Sequence, residues 1–238
     1  TQMSLAIAEV LVSGQPWTES VLADSFVRAF KRDPRVGYAG KLYAFLQSIS
    51  DGEEFLAQIR GTSDRSGAAM RAAPIGVLPT IEQTIAATTR QAAITHNSPD
   101  GISAAVAAAL MSHYFIYQLG EKRELGTFLD TYVPGYNWAR DWEGCVTTKG
   151  IECVHAAVTA VQQCDRMTDL LITCIAFSGD VDTVAAIASA AASCSVEIEQ
   201  NLPQHLYDDL ENGGYGRDYI IELDRRLMSL VDRPKKTG

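Results

Sequence analysis

The sequence predicts an all-α fold, and three observations carry that prediction. Apolar residues recur at helical spacing along almost the whole chain, helix start and stop signals bracket those stripes, and no β-branched alternation is long enough for a sheet. The 238 residues include 47% hydrophobic and 21% charged side chains with 18 Gly and 8 Pro, a poor fit to disordered, collagen-like or low-complexity chains. No linker or internal repeat divides them, so the reading is a compact multi-helix globule, a single domain over residues 1–238 with a sizeable core.

The elements follow in chain order. Leu5, Ala8 and Val12 form one stripe, which Gly14 closes. Thr18 is an N-cap candidate for the stripe Val21, Leu22, Phe26, Ala29 and Phe30, and Leu42, Phe45, Leu46 and Ile49 form the next. Thr80-Ile81-Glu82-Gln83 reads as a capping box, and Ser98-Pro99 as an N-cap with proline at the first helical position. Further helices are expected over about residues 150–165, 168–177, 183–200, 203–211 and 217–231.

Residues 101–120 carry no Asp, Glu, Lys or Arg and are long enough to span a bilayer. Ala104, Ala105, Ala107, Ala108 and Ala109 dominate them, Ser103, Ser112, His113 and Gln118 interrupt them, and no basic anchoring cluster flanks them. The segment is read as a central helix close-packed through small residues, not as a membrane span.

Twenty basic against twenty-nine acidic side chains give a net charge of −9, which repels phosphate backbones and anionic bilayers. Nucleic acid and membrane are therefore not expected as partners, and an anionic ligand must be met locally. The five cysteines, Cys145, Cys153, Cys164, Cys174 and Cys194, are odd in number and form no CxxC pair, so they read as reduced thiols in a cytoplasmic protein. The first residues lack a basic n-region and Glu9 interrupts their apolar stretch, which argues against a signal peptide.

Three segments could carry chemistry. Gly179-Asp180-Val181-Asp182-Thr183 crowds two carboxylates and a hydroxyl at a helix start, hard oxygen donors suited to a divalent cation. The competing reading is that Asp180 or Asp182 only caps the helix, for which one carboxylate is enough. Ser66-Gly67-Ala68-Ala69-Met70-Arg71 offers small side chains and helix-start amides that could hold a phosphate with Arg71 nearby, or else forms a tightly packed helix stopped near Pro74. Thr95-His96 lies in a polar turn, where His96 could contact a ligand or simply close a helix.

Other features carry less. His113 and His155 lie within helical patterns and read as core or flank residues, and Cys153 and His155, two positions apart, point to different helix faces and argue against zinc. Residues 132–150 lack helical periodicity, and Tyr132, Tyr136, Trp138 and Trp142 there could stack on a base or line a pocket mouth, or could anchor the loop to the body. No GxSxG, Walker A, strand-borne Rossmann glycine pattern or HExxH occurs.

Taken together these segments resemble the ADP-ribosylglycohydrolase family. Thr1-Gln2-Met3 looks like the end of its Thr-Asp-Asp-Thr-x-Met signature, Gly67-Ala68-Ala69-Met70-Arg71 like its Gly-Ala-x-Met-Arg stretch, Thr95-His96 like its Thr-His turn, and Gly179-Asp180-Val181-Asp182-Thr183 like its Gly-Asp-x-Asp-Thr motif. The resemblance implies a metal-dependent hydrolase that cleaves the bond between ADP-ribose and an acceptor, with two Mg2+ or Mn2+ ions in a central cleft. It implies Asp180, Asp182 and Thr183 as metal ligands and Ser66, Gly67, Ala68, Ala69, Met70 and His96 as substrate-binding residues, with an ADP-ribosylated protein as one partner. Catalytic acids would lie in a Thr-Asp-Asp preceding Thr1, so the chain is expected to lack an N-terminal segment. Val181 stands where the family often has Thr, and Ser66 where it often has Asn, a change that could alter a substrate hydrogen bond. The alternatives are a catalytically silent ADP-ribose-binding or regulatory module, and a purely structural helical protein.

Overall fold

Alanine decides where the centre of the molecule lies. The computed structural model describes residues 1–231, and in it the helix Pro99–Ile116 is buried along nearly its whole length, with Ala104, Ala105, Ala107 and Ala109 fully enclosed. Side chains this short let neighbouring helices approach closely from several directions. Residues 232–238 of the expected domain lie outside the described residues.

In chain order the α-helices are α1 (Gln2–Ser13), α2 (Glu19–Arg32), α3 (Gly40–Ser48), α4 (Gly52–Gln58), α5 (Ile81–His96), α6 (Pro99–Ile116), α7 (Leu125–Tyr132), α8 (Gly150–Gln163), α9 (Met167–Ala176), α10 (Val181–Ala192), α11 (His205–Asp208) and α12 (Arg217–Met228). Short 3₁₀ turns cover Ser66–Ala68, Ala73–Val77 and Lys122–Glu124. Among the described residues there is no sheet, only isolated bridges. The all-α expectation therefore holds, and among the described residues no helix is long and apolar enough to cross a membrane.

Around α6 pack α5, α8, α10 and the Ala73–Val77 turn, while α1 and α2 pair beside them and α12 lies on α1. Leu110, Met111, Phe26, Phe30, Leu22 and Ile75 are among the large side chains enclosed in the shared core. Each contributes about 1.5–3 kcal/mol relative to an exposed position.

The caps behave largely as their chemistry dictates. Gly14 closes α1 at φ 67°, Thr18 accepts from the Val21 amide, Thr80 from the Gln83 amide, and Ser98 from the Gly101 amide at 3.1 Å. The helix expected over 183–200 stops at Ala192 instead. There Ser193 Oγ donates to the Ala190 carbonyl at 2.9 Å and Ser195 Oγ accepts from the Glu197 amide, so side chains compete with the helical ladder. The helix expected over 203–211 is only the four-residue α11, which has no buried residue to hold a longer one.

The aromatic loop resolves in favour of anchoring. Trp138 is fully buried with Nε1 donating to the Val133 carbonyl at 2.8 Å, and Asp130 accepts from the Trp138 and Ala139 amides. Trp138 and Trp142 both flank the His155 ring, whose Nε2 sits 2.6 Å from the Arg140 carbonyl. Tyr136 donates its hydroxyl to Asp100 at 2.9 Å. None of these aromatics reaches the main cleft, and Tyr132 borders only a separate groove of about 210 Å³.

Candidate functional site

Three loop segments and the end of α5 are stitched into one wall by backbone hydrogen bonds. The Ser66 amide donates to the Thr148 carbonyl at 3.1 Å, the Gly150 amide to Asp64 at 3.0 Å, the Val146 amide to Ser178 at 3.1 Å and the Asp180 amide to Val146 at 3.0 Å. A bridge between Thr62 and His96 ties the end of α5 to the same wall. Residues scattered from 62 to 183 in sequence thus meet on one side of a cleft of about 1350 Å³, large enough for a dinucleotide-sized ligand.

Gly179 makes this junction possible. Its φ is 85°, and a Cβ there would overlap the Val146 carbonyl oxygen. Ser178 before it also sits at positive φ, 60°, a conformation costly for a residue with a Cβ. The turn delivers Asp180, Asp182 and Thr183 to the cleft at the start of α10.

For Asp180 the side-chain capping alternative is not what the structure shows, whereas Asp182 lies in the first turn of α10, where its charge complements the helix dipole. Asp180 occupies the N-cap position but its side chain accepts no amide. One carboxylate oxygen accepts from Thr183 Oγ1 at 3.1 Å, and the other from Ser66 Oγ at 3.3 Å and from the Cys153 thiol at 3.5 Å. Burial and the adjacent Asp180 push the Cys153 thiol well above its ordinary range, so it stays protonated, with its one proton facing both Asp180 at 3.5 Å and the Thr147 carbonyl at 3.4 Å. Asp182 is exposed, lines the cleft, and has no hydrogen-bond or salt-bridge partner among the described residues.

Across the wall stand Ser66, Gly67, Met70 and His96, all lining the cleft. Ala68 and Ala69 do not line it, because their methyl groups are buried in the core. Arg71, expected near a phosphate-holding stretch, lines the cleft but engages its guanidinium within the protein. Its Nε donates to Gln91 Oε1 at 2.7 Å and its Nη2 to Thr95 Oγ1 at 2.8 Å, and its guanidinium carbon lies 4.7 Å from the centre of the Phe26 ring. Burial pulls its pKa down to about 9, which still leaves a cation at neutral pH. Beside it, burial first and the Arg71 charge second push His96 down to about 3.

The far end of the cleft was not foreseen from sequence. Arg32 grips Glu9 through both guanidinium nitrogens and lies 3.9 Å from the Tyr215 ring centre, while Tyr219 donates to Glu9 at 2.7 Å. Arg35 forks onto Glu211 with two 2.7 Å hydrogen bonds. These partners lie as far as 210 positions apart, and no local pattern announces such pairs. Cys153 was weighed only as a zinc ligand; its position one turn into α8, facing the Ser66 and Asp180 loops, is a product of the fold.

The fold and the wall motifs converge with the comparisons to known proteins. A family model described as ADP-ribosylglycohydrolase matches residues 1–237, and the chain belongs to that family of hydrolases acting on ADP-ribosyl groups. Among solved structures it is similar to one titled "ADP-ribosylglycohydrolase-related protein complex", at 17% identity and a TM-score of 0.75, covering 97% of this chain and 80% of that one. At that identity the likeness establishes a shared fold.

Proposed function

We propose that the chain is a metal-dependent hydrolase that cleaves the bond between ADP-ribose and an acceptor, an ADP-ribosylated protein or small molecule, in the cleft between Asp180 and His96. The observation that carries this reading is the pair Asp180 and Asp182: two carboxylates face the cleft at a helix start without serving as caps. With Thr183 they form a hard oxygen donor set that suits Mg2+ or Mn2+, cations that keep several waters and need few protein ligands. A divalent cation bound there supplies polarised water and fixed ribose hydroxyls for a reaction with oxocarbenium character.

The protein's own residues do the positioning. Ser66 donates to Asp180, the Cys153 thiol faces it, and both keep its carboxylate turned to the cleft. Gly67 lets the ligand approach the backbone beside His96. Cys145, Cys153, Cys164, Cys174 and Cys194 are all free thiols, which fits the reducing cytoplasm in this reading.

Incubation of the protein with arginine-linked and serine-linked ADP-ribosyl peptides, in Mn2+ and in Mg2+, tests it by release of ADP-ribose. The expected result is metal-dependent release that Asp182→Ala abolishes. Unchanged turnover in that variant would remove the metal role.

One observation favours a second reading, a silent ADP-ribose-binding module. Among the described residues no group of three or more His, Cys, Asp or Glu side chains could hold a metal ion. Binding of ADP-ribose without turnover on any substrate or metal selects this second reading.

A further inference from the structure

His96 enters the cleft with one ring nitrogen already engaged. Its Nδ1 lies 2.7 Å from Thr95 Oγ1, and the same hydroxyl oxygen accepts from Arg71 Nη2 at 2.8 Å. Arg71 also donates to the Gln91 side chain and carbonyl, at 2.7 and 3.1 Å, and Gln91 Nε2 in turn donates to the Ala68 carbonyl at 3.2 Å. Arg71, Gln91, Thr95 and His96 are all buried.

Donor counting fixes the direction of this chain. A guanidinium only donates, so the Thr95 oxygen must accept from it. The Thr95 hydroxyl has one proton and makes no other hydrogen bond among the described residues than these two. Were Nδ1 the donor, that proton would have no acceptor in the protein and could only turn into the cleft that Thr95 borders, leaving the site less completely paired than a hydroxyl donating to Nδ1. The hydroxyl therefore donates to Nδ1, and the neutral imidazole carries its proton on Nε2.

Nε2 has no hydrogen-bond partner among the described residues, and the ring lines the cleft. Gly67 makes room for it, since a Cβ there would stand 3.1 Å from Cε1 and 3.2 Å from Nε2. The nearby charge is Arg71, with the half-buried Tyr38 phenol also close to that guanidinium, and both burial and the Arg71 charge oppose a second proton on the ring.

We propose that Arg71 and Thr95 are positioning residues that hold His96 as a neutral, Nε2-protonated imidazole, so that it presents a hydrogen-bond donor to a ligand oxygen and not a general base. The tautomer follows from the free protein, whereas the ligand oxygen, one of ADP-ribose, rests on the function proposed above.

Two-bond proton–nitrogen correlation spectra of the labelled imidazoles test the first part without ligand, with the His96 signal assigned by its loss in His96→Gln. The expected signature is a protonated Nε2 and an acceptor Nδ1 that persist from about pH 8 to about pH 5. Thr95→Val is expected to mix the tautomers, and Thr95→Ser to restore the wild-type pattern. An Nδ1-protonated or imidazolium signature overturns the relay, and the wild-type spectrum decides this even if Thr95→Val fails to fold. Calorimetry with ADP-ribose tests the second part: about tenfold weaker binding is expected in His96→Ala and in Thr95→Val, with recovery in Thr95→Ser. Unchanged affinity in His96→Ala overturns the donor role. No binding by the wild type overturns that role together with the hydrolase reading, while the spectra still decide the tautomer.

Discussion

Gly179 is the residue on which the candidate site hangs, since both its φ of 85° and the Val146 carbonyl oxygen against it exclude a side chain. Gly179→Ala is expected to cost more than about 2 kcal/mol in urea unfolding, because the new methyl must displace the Val146 carbonyl segment or the Asp180 turn. A change within experimental scatter would show the junction to be looser than its geometry. The Gly179–Thr183 motif was legible because its members are consecutive, so the pattern survives in sequence. The Cys153 to Asp180 hydrogen bond was not legible, since its partners are 27 positions apart and meet only once α8 and α10 have packed. Sequence also placed Arg71 near a stretch that could hold a phosphate, and the structure puts it at the cleft with its guanidinium engaged inward. What it could not show was Gln91 and Thr95, whose acceptors turn the guanidinium inward.

At the scale of elements, small side chains govern α6. Ala104 is fully buried, and its Cβ lies where a side chain on Gly150 would intrude, so α6 and α8 touch through their shortest residues. Ala104→Leu is expected to destabilise by about 1–3 kcal/mol through overpacking, read as a lower denaturant midpoint with an unchanged slope. Helix starts with side-chain caps were readable from sequence, whereas α4 and α7 were passed over for being short. Asp51 does accept from the Glu54 amide and Glu54 from the Ser50 amide, so a capping-box signal for α4 was present. The stop of α10 at Ala192 was hidden because Ser193 and Ser195 break the helix by side-chain competition that periodicity does not register. On the cleft rim, the fork between Arg35 and Glu211 fastens residues 205–216 to the loop after α2. This pair is solvent-exposed, so Glu211→Ala is expected to leave the unfolding midpoint almost unchanged while amides of 205–216 exchange faster.

The whole molecule should respond to acid through its buried histidines. Burial depresses His96 to about 3, and burial likewise lowers His113, against an ordinary value of 6.5. Both therefore bind protons more readily unfolded than folded. The stability that their neutral forms contribute is fully present above about pH 6.5 and is lost as pH falls toward about 3. The unfolding temperature should decline over that window, and His96→Gln should make the decline shallower. An equal slope in the variant would show His96 to titrate normally. The helical spacing of apolar residues and the absence of alternating strands gave the all-α body directly. The Arg32, Glu9 and Tyr215 cluster, by contrast, exists only in the assembled fold.

The cleft's assignment is tested most directly by titrating ADP-ribose calorimetrically into the protein with Mn2+ and again with a chelator, for the wild type and Asp182→Ala. The expected result is saturable binding that weakens at least about tenfold, or about 1.4 kcal/mol, on chelation, with the same loss in Asp182→Ala even when Mn2+ is present. Absence of binding, or binding that neither the chelator nor the substitution alters, would contradict a metal-assisted ADP-ribose site at Asp180 and Asp182.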